Sequence, residues 1–417
     1  MNNIIKIREK LQILLNYMII LYAAVIPFQY YYSKKLVSIM FILWILTVDY
    51  KVIKNYLLNN RLFQLIIIFT IVIFSSYLWS NHYPGLYYGD INIFFTSYKS
   101  YFLLPIIIII TSLKQKYIKY IIISFMLSMY INELISYGIY FSFWTTPHGT
   151  PYDPVPFQIS HITYSVFIAF TILLSIYKIF VENNNIKKTI YSIFFITMTI
   201  SLFMSAGRTG QMALLLTLFT LIIMYFKNNL KQIILLFLSI LLIFFVAYKN
   251  INTFNIRINH MINNIETVFI DGKNDTSFGT RLLAIHAIPY LINKDNFLYG
   301  VGIGNREEYV KNIIKNDYPY KIHNFLEYGR LHNMYIEILV SNGIIGLFLL
   351  LSIFYMLIFN KIKDKHISYL SKSIGLLIFY AGIPGDIFFF YEMMLLFSLF
   401  ISIYIVQYNY ERRHLDV

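Results

Sequence analysis

Residues 209–248 read TGQMALLLTLFTLIIMYFKNNLKQIILLFLSILLIFFVAY. Two apolar runs, 209–226 and 232–248, flank a polar hinge bounded by Lys227 and Lys231. Each run is long enough to cross the hydrocarbon core of a bilayer as a helix. In hydrocarbon a backbone must satisfy its own N–H and C=O groups, so these runs predict helices. The same alternation of apolar run and short charged hinge extends in both directions. It predicts further spans at about 12–28, 36–48, 62–80, 100–113, 120–144, 161–181, 189–205, 333–358, 367–384 and 388–408. The expected fold is an all-α integral membrane protein of about 12 transmembrane helices. Pro105 and Pro384 mark places where a helix should kink or end.

Composition agrees with that reading. Of 417 residues, 58% are hydrophobic and 13% charged, with a mean hydropathy of +0.62. These values exclude a disordered chain and a string of soluble domains. The absence of cysteine excludes thiol catalysis and thiolate metal sites. A net charge of +14 suggests a polyanionic partner until the cations are sorted by side. If the N-terminus is cytoplasmic, twenty Lys and Arg residues fall in inner segments, and the short outer segments hold only Lys34, Lys35, Lys99 and Arg208. Both termini are therefore expected in the cytoplasm, and a nucleic-acid partner is not expected. The first apolar stretch leads into Tyr and Lys residues rather than a small-residue cleavage site, so no cleavable signal is expected.

Three regions follow: spans 1–9 in residues 1–248, a helical outer loop at 249–332 between spans 9 and 10, and spans 10–12 with a cytoplasmic tail in 333–417. Within the loop, Ile258, Met261, Ile262, Ile265, Val268 and Phe269 recur at helical spacing. Leu282, Ile285, Ile288, Leu291 and Ile292 do so again, followed by Tyr309, Val310, Ile313 and Ile314. The glycine-rich run from Tyr299 to Asn305 reads as a tight connector, since no strand precedes it as a dinucleotide motif requires. The loop is expected to form a cap of amphipathic helices on the outer membrane surface.

A few outer-side polar groups need a reason to be there. Arg208, in Met204-Ser205-Ala206-Gly207-Arg208-Thr209-Gly210, sits at a span boundary, where a charge costs several kcal/mol unless it faces water or a partner. It is either a functional cation, with Gly207 and Gly210 letting an anion approach, or a snorkelling side chain. Arg281 opens a loop helix, a position that opposes the helix dipole by about 0.3–1 kcal/mol unless an anion is gathered there; a solvated surface Arg is the other reading. His332 stands where the loop enters the tenth span, followed by Asn333 as a helix cap and Glu337 one turn on. An imidazole with an ordinary pKa of about 6.5 suits general-base work there, or is simply an interfacial histidine. Lys99, at an outer helix mouth, is a further phosphate contact or an interfacial anchor. Two arginines and a base on one side suit displacement of a lipid pyrophosphate by a hydroxyl. No Asp-x-Asp pair occurs on the outer side, so no metal and no cofactor are expected.

The run His332-Asn333, Tyr335, Glu337 and Ser341-Asn342-Gly343-Ile344-Ile345-Gly346 resembles the signature of the bacterial O-antigen ligase and O-antigen polymerase superfamily. Ser205-Ala206-Gly207-Arg208-Thr209-Gly210, Gly279-Thr280-Arg281 and Gly300-Val301-Gly302-Ile303-Gly304-Asn305 are similar to its other marks. The resemblance covers about residues 200–346 by motif. It implies a metal-independent, inverting glycosyltransferase of the GT-C type in the bacterial inner membrane, acting in lipopolysaccharide biosynthesis. Such an enzyme moves a glycan from undecaprenyl pyrophosphate to a sugar hydroxyl of lipid A-core on the periplasmic face. By the same resemblance Arg208 and Arg281 hold the pyrophosphate, with Lys99 as a weaker addition, and His332 deprotonates the acceptor. Asn333, Glu337 and His161 are expected as supporting groups. A single long outer loop favours the ligase over a polymerase joining lipid-linked repeat units. A transporter for lipid-linked sugars is the reading from another class, although no repeated half is visible and the charges gather on one side.

Overall fold

The computed structural model describes residues 2–80, 98–270, 276–316 and 329–414. Among these residues the architecture is helical, with no strand beyond an isolated bridge between Thr150 and Asp153. The first part holds α1 (Asn2–Val25), α2 (Tyr30–Thr47), α3 (Tyr50–Asn59) and α4 (Arg61–Ser75), the last continuing into a 3₁₀ turn at Ser76–Trp79. A π-helical turn, Tyr98–Leu103, leads into α5 (Leu104–Ser112), whose first turn accommodates Pro105 because an N–H there has no partner anyway. Next come α6 (Ile118–Tyr140), α7 (His161–Val181), α8 (Asn185–Met204), α9 (Arg208–Phe226) and α10 (Leu230–Asn250). The segment expected as the outer loop holds α11 (Asn252–Phe269), α12 (Ser277–His286), α13 (Ile288–Leu291) and α14 (Arg306–Asn316). The chain closes with α15 (Met334–Ile358), α16 (Lys365–Ala381) and α17 (Tyr391–Arg413).

Every expected span coincides with a helix. Among the described residues eight helices are long and apolar enough to cross a membrane, or nine if α2 and α3, bent by 104°, count as one broken span. The remaining expected spans correspond to α1, to the shorter apolar stretch Tyr101–Ser112 and to α16. Short polar hinges turn the chain sharply because they carry cap residues. Asn60, Ser160, Asn184, Asn229 and Asp364 each accept a hydrogen bond from a first-turn backbone N–H.

The bundle has a centre and a periphery. In α17, 89% of the apolar window is buried, against 6% in α10, which faces outward along most of its length. Lipid tails are as apolar as leucine, so helices associate through close packing and small residues rather than through expulsion of water. Ser398 and Ser402 are buried on α17, and Gly375 brings α16 against Leu357 and Ile358 of α15. Gly207 and Gly210 do the same for α9, since a Cβ on either would collide with Ser165 of α7. This corrects the expectation that the two glycines leave room for an anion: the space they vacate is filled by a neighbouring helix.

The loop helices pack on helix ends and on each other. Leu283, Ala284, Ala287, Leu291, Val310 and Ile314 join Ile336 and Val340 of α15 in one small core. Phe254 of α11 packs with Phe203 and Ala247 at the ends of α8 and α10. Two glycine motifs that lie far apart in sequence interlock here. α15 is broken at Gly343 (φ 65°, ψ −169°), and the freed backbone is satisfied from the Phe297–Gly302 segment. Ile344 N donates to Phe297 O at 2.9 Å, while Val301 N and Gly302 N donate to Val340 O (2.9 Å) and Ser341 O (3.0 Å). A Cβ on Gly343 would strike Leu298 O, and one on Gly300 would strike Ser341, so both positions need glycine for space as well as for positive φ. The turn is also held from its other side, where Gly304 N donates to Ser80 Oγ at 3.1 Å.

The two ends of the bundle differ. At one, Arg8 donates to Thr47 O, Arg412 to Asn59 O, and Glu411 accepts from the backbone of Lys363 and Asp364. The chain termini therefore meet the 47–49, 59–60 and 360–364 hinges. The other end gathers α11–α14, the 141–160 loop, the 205–207 turn and the 382–386 turn.

Candidate active site

Arg208 is the first residue of α9, capped by Gly207, and is half-buried. The preceding turn is tied down from the 141–160 loop, where Asp153 Oδ1 accepts from Ala206 N at 2.8 Å. Arg281 lies in the second turn of α12, whose start is capped by Thr276 accepting from Gly279 N. Its Nε donates to Pro384 O at 2.8 Å. That bond belongs to a series. Gly382 O accepts from Met334 N (2.9 Å), Ile383 O accepts from Asn333 Nδ2 (2.9 Å) and Pro384 O accepts from Arg281. Three consecutive carbonyls just past α16 thus orient the start of α15, its cap and an arginine on α12.

His332 and its supports are built from α15 and α14. Asn333 Oδ1 accepts from Tyr335 N (3.0 Å) and Ile336 N (3.1 Å), as its position as a cap predicts. Glu337 Oε1 accepts from Leu331 N at 2.8 Å, and Oε2 receives Nη1 of Arg306, a buried pair to which Glu307 adds a second carboxylate. His332, gripped between Leu331 and Asn333, adopts φ 48°. The left-handed region costs a non-glycine residue about 1–2 kcal/mol, so the flanking bonds hold the imidazole in a conformation the isolated segment would avoid. Burial, reinforced by the positive charges of Arg281 and Arg330, lowers the imidazole pKa to about 4. The ring is therefore neutral at physiological pH, the state a proton acceptor needs.

Arg208 and Arg281 converge on one cavity of about 510 Å³. Arg208, Arg257, Arg281 and Asn333 line its polar part, and Met212, Leu215, Phe254, Met261, Phe278 and Ile285 are among the side chains of its apolar part. Burial and the nearby Arg208 charge both depress the Arg281 pKa, so the two guanidinium groups feel each other. No carboxylate lines this cavity among the described residues. His332 is the residue before the lining Asn333 and is close enough to Arg281 to be shifted by it.

Not every expected residue joins the group. His161 does not line the cavity among the described residues; it is largely exposed, with Nδ1 3.6 Å from Asp153 Oδ2, and stands behind the Arg208 turn. The backbone of Lys99 lies in the π-helical turn, but its side chain lies outside the described residues. Two contributors escaped the sequence reading. Arg257 of α11 lines the cavity beside Arg208, and the spacing Arg257, His260, Asn264, which makes one polar stripe along a helix, is the signal that could have found it. Arg306 is the other: a cation just after the glycine turn gives no hint that its partner is Glu337.

A bundle of apolar helices with Arg208, Arg257 and Arg281 lining one cavity at one end defines a membrane protein. Residues 193–351 match the family model of the O-antigen ligase. The match is consistent with the O-antigen ligase and polymerase superfamily, whose members are glycosyltransferase-like enzymes acting on lipid-linked glycans. The matched region includes Arg208, Arg281, His332, Asn333 and Glu337, and ends beyond the Gly343 break. A search of curated proteins found no match.

Proposed function

We propose that the protein is an O-antigen ligase that transfers a glycan from undecaprenyl pyrophosphate to a sugar hydroxyl of lipid A-core. The observation that carries the reading is the convergence of Arg208 and Arg281 on a cavity whose lining includes no carboxylate among the described residues and whose remainder is largely apolar. Clustered guanidinium groups suit an anion in that cavity, and a pyrophosphate on a prenyl chain supplies both the anion and the apolar tail. His332 takes the proton of the acceptor hydroxyl as its oxygen bonds to the anomeric carbon. The bond from that carbon to the phosphate oxygen breaks, and the electron pair leaves on the pyrophosphate, which the arginines stabilise. Attack opposite the leaving group inverts the anomeric centre. Anionic donor beside Arg281 would offset the charges that depress His332, so the base strengthens once substrate is bound.

We further infer a twelve-span, GT-C-like topology in the bacterial inner membrane, with cytoplasmic termini and a periplasmic active site. The grouping of the termini with the cation-rich hinges at the end opposite Arg208 supports that orientation.

Single replacement of Arg208, Arg281 or His332 by Ala should abolish glycan transfer while leaving membrane insertion intact. Retained transfer in all three variants, at normal expression, would remove the assignment. Deletion followed by a lipopolysaccharide gel separates the two superfamily activities. Loss of every glycan band, with full-length polymer accumulating on undecaprenyl pyrophosphate, marks the ligase, and core bearing one repeat unit marks the polymerase.

A further inference from the structure

Arg257 stands between two cavities. The first is the apolar one described above; the second, of about 530 Å³, adjoins it along the neighbouring face of α11 and is lined by Tyr152, Arg208, Thr253, Arg257, His260 and Asn264, with Ile256. Arg208, Arg257 and Asn264 line both. α11 thus turns unlike faces to the two: Phe254, Ile258 and Met261 toward the apolar cavity, Thr253 and His260 toward the polar one. Arg257 is half-buried, and among the described residues its side chain makes no hydrogen bond and no ion pair. The side chain of Arg208 likewise makes none, and the two guanidinium groups are near enough to repel. Neither cavity has a carboxylate in its lining among the described residues. A like-charged pair partly withdrawn from water, with no counter-charge among the described residues, is stabilised by an anion placed between the two groups.

We infer that Arg257 is a further pyrophosphate-binding residue, and that the polar cavity behind it takes the sugar attached to the phosphate. The inference rests on the donor proposed above and adds to it a direction: prenyl chain on the apolar side of α11, first sugar on the Tyr152 and His260 side, phosphates at the arginine junction. The polar cavity falls in the size range of small-molecule sites, and its phenol, imidazole, hydroxyl and amide groups suit the hydroxyls of a sugar ring.

The test measures binding of two probes to the full-length protein in nanodiscs: undecaprenyl pyrophosphate alone, and the same lipid carrying its glycan. Arg257→Gln should weaken both by about ten-fold or more, as expected for loss of a charge-assisted contact, with Arg257→Lys recovering part of the loss. Paired Tyr152→Phe and His260→Ala changes should weaken only the glycan-bearing probe. Binding of both probes by Arg257→Gln within about two-fold of wild type, at an unchanged melting temperature, would overturn the role of Arg257. Equal weakening of both probes by the Tyr152 and His260 changes would overturn the sugar side. If wild type binds neither probe, the proposed donor itself is wrong, and this inference goes with it; binding by wild type with no effect of Arg257 replacement leaves the donor standing and removes only the new residue.

Discussion

Arg306 and Arg208 are both withdrawn from water at the same end of the bundle, yet their surroundings are opposite. Arg306 is buried between Glu337 and Glu307, and its charge is cancelled by side chains the protein itself supplies. Arg208 faces Arg257 and Arg281 across cavities with no carboxylate in their lining among the described residues. The first arrangement serves architecture. Through Glu337 it reaches Leu331 N and so fixes the backbone of His332. On the function proposed above, the second serves a ligand, the arginines meeting the charge of the pyrophosphate. The difference teaches that burial of an arginine says little until its counter-charge has been located.

The largest effect that would break this comparison is on stability. Arg306→Ala leaves Glu337 buried without its partner and should cost about 3–5 kcal/mol. A melting temperature in detergent equal to that of wild type would mean the pair is not architectural. Conversely, Arg208→Ala and Arg281→Ala should reduce transfer by about 10²–10³-fold, or roughly 2.7–4 kcal/mol of transition-state stabilisation. The melting temperature of Arg208→Ala should stay level or rise, since like-charge repulsion is relieved, whereas Arg281→Ala also loses its bond to Pro384 O and should fall slightly. Unchanged transfer together with a melting temperature as low as that of Arg306→Ala would merge the two clusters into one structural class.

Smaller changes sharpen the comparison by loosening the frame alone. Gly343→Ala puts a Cβ against Leu298 O at positive φ and should destabilise by about 2 kcal/mol or more. Asn333→Ala removes the α15 cap and should cost about 1 kcal/mol, with a fall in transfer because His332 loses one of its neighbours' anchors. Both are read by thermal unfolding beside a transfer assay; a loss of transfer without any loss of stability in Gly343→Ala would place that glycine in the chemistry instead.

The pH dependence is the smallest effect and the most specific. With the His332 pKa at about 4, kcat/KM should persist through the usual histidine range and decline only as pH falls towards that value. The acid limb of kcat should lie higher, since bound pyrophosphate offsets the arginine charges. For stability the sign runs the same way. The folded-state value lies below the unfolded value of about 6.5, so wild type loses stability relative to His332→Gln as pH drops from about 6.5 to about 4, and loses nothing further below. An acid limb of kcat/KM near the ordinary histidine value would show that the imidazole is not held among these cations.

Much of the fold was legible because a bilayer imposes a simple rule. Runs such as 209–226 and 232–248 have no alternative to helix in hydrocarbon, and Asn333, read as a cap, starts α15 for a local reason. The periodic stripes in 252–316 likewise announced α11, α12 and α14. Arg208, Arg281 and His332 stood out because a charge at a span boundary and a cation at a helix start each violate a local preference. Arg257 violates none, being an ordinary arginine on an amphipathic helix, and its only local signal is the polar stripe it shares with His260 and Asn264.

What the chain determined by itself, then, was the set of helices, their caps and the one-sided distribution of cations, all of which depend on interactions within a few residues or on the solvent. Tertiary structure decided the rest. The Gly300–Gly302 turn is there to fill the break at Gly343, Gly207 and Gly210 admit Ser165 rather than an anion, and the carbonyls of Gly382, Ile383 and Pro384 aim Met334, Asn333 and Arg281. Each is a contact between residues far apart in sequence, and close packing fixes such contacts only once the helices have met.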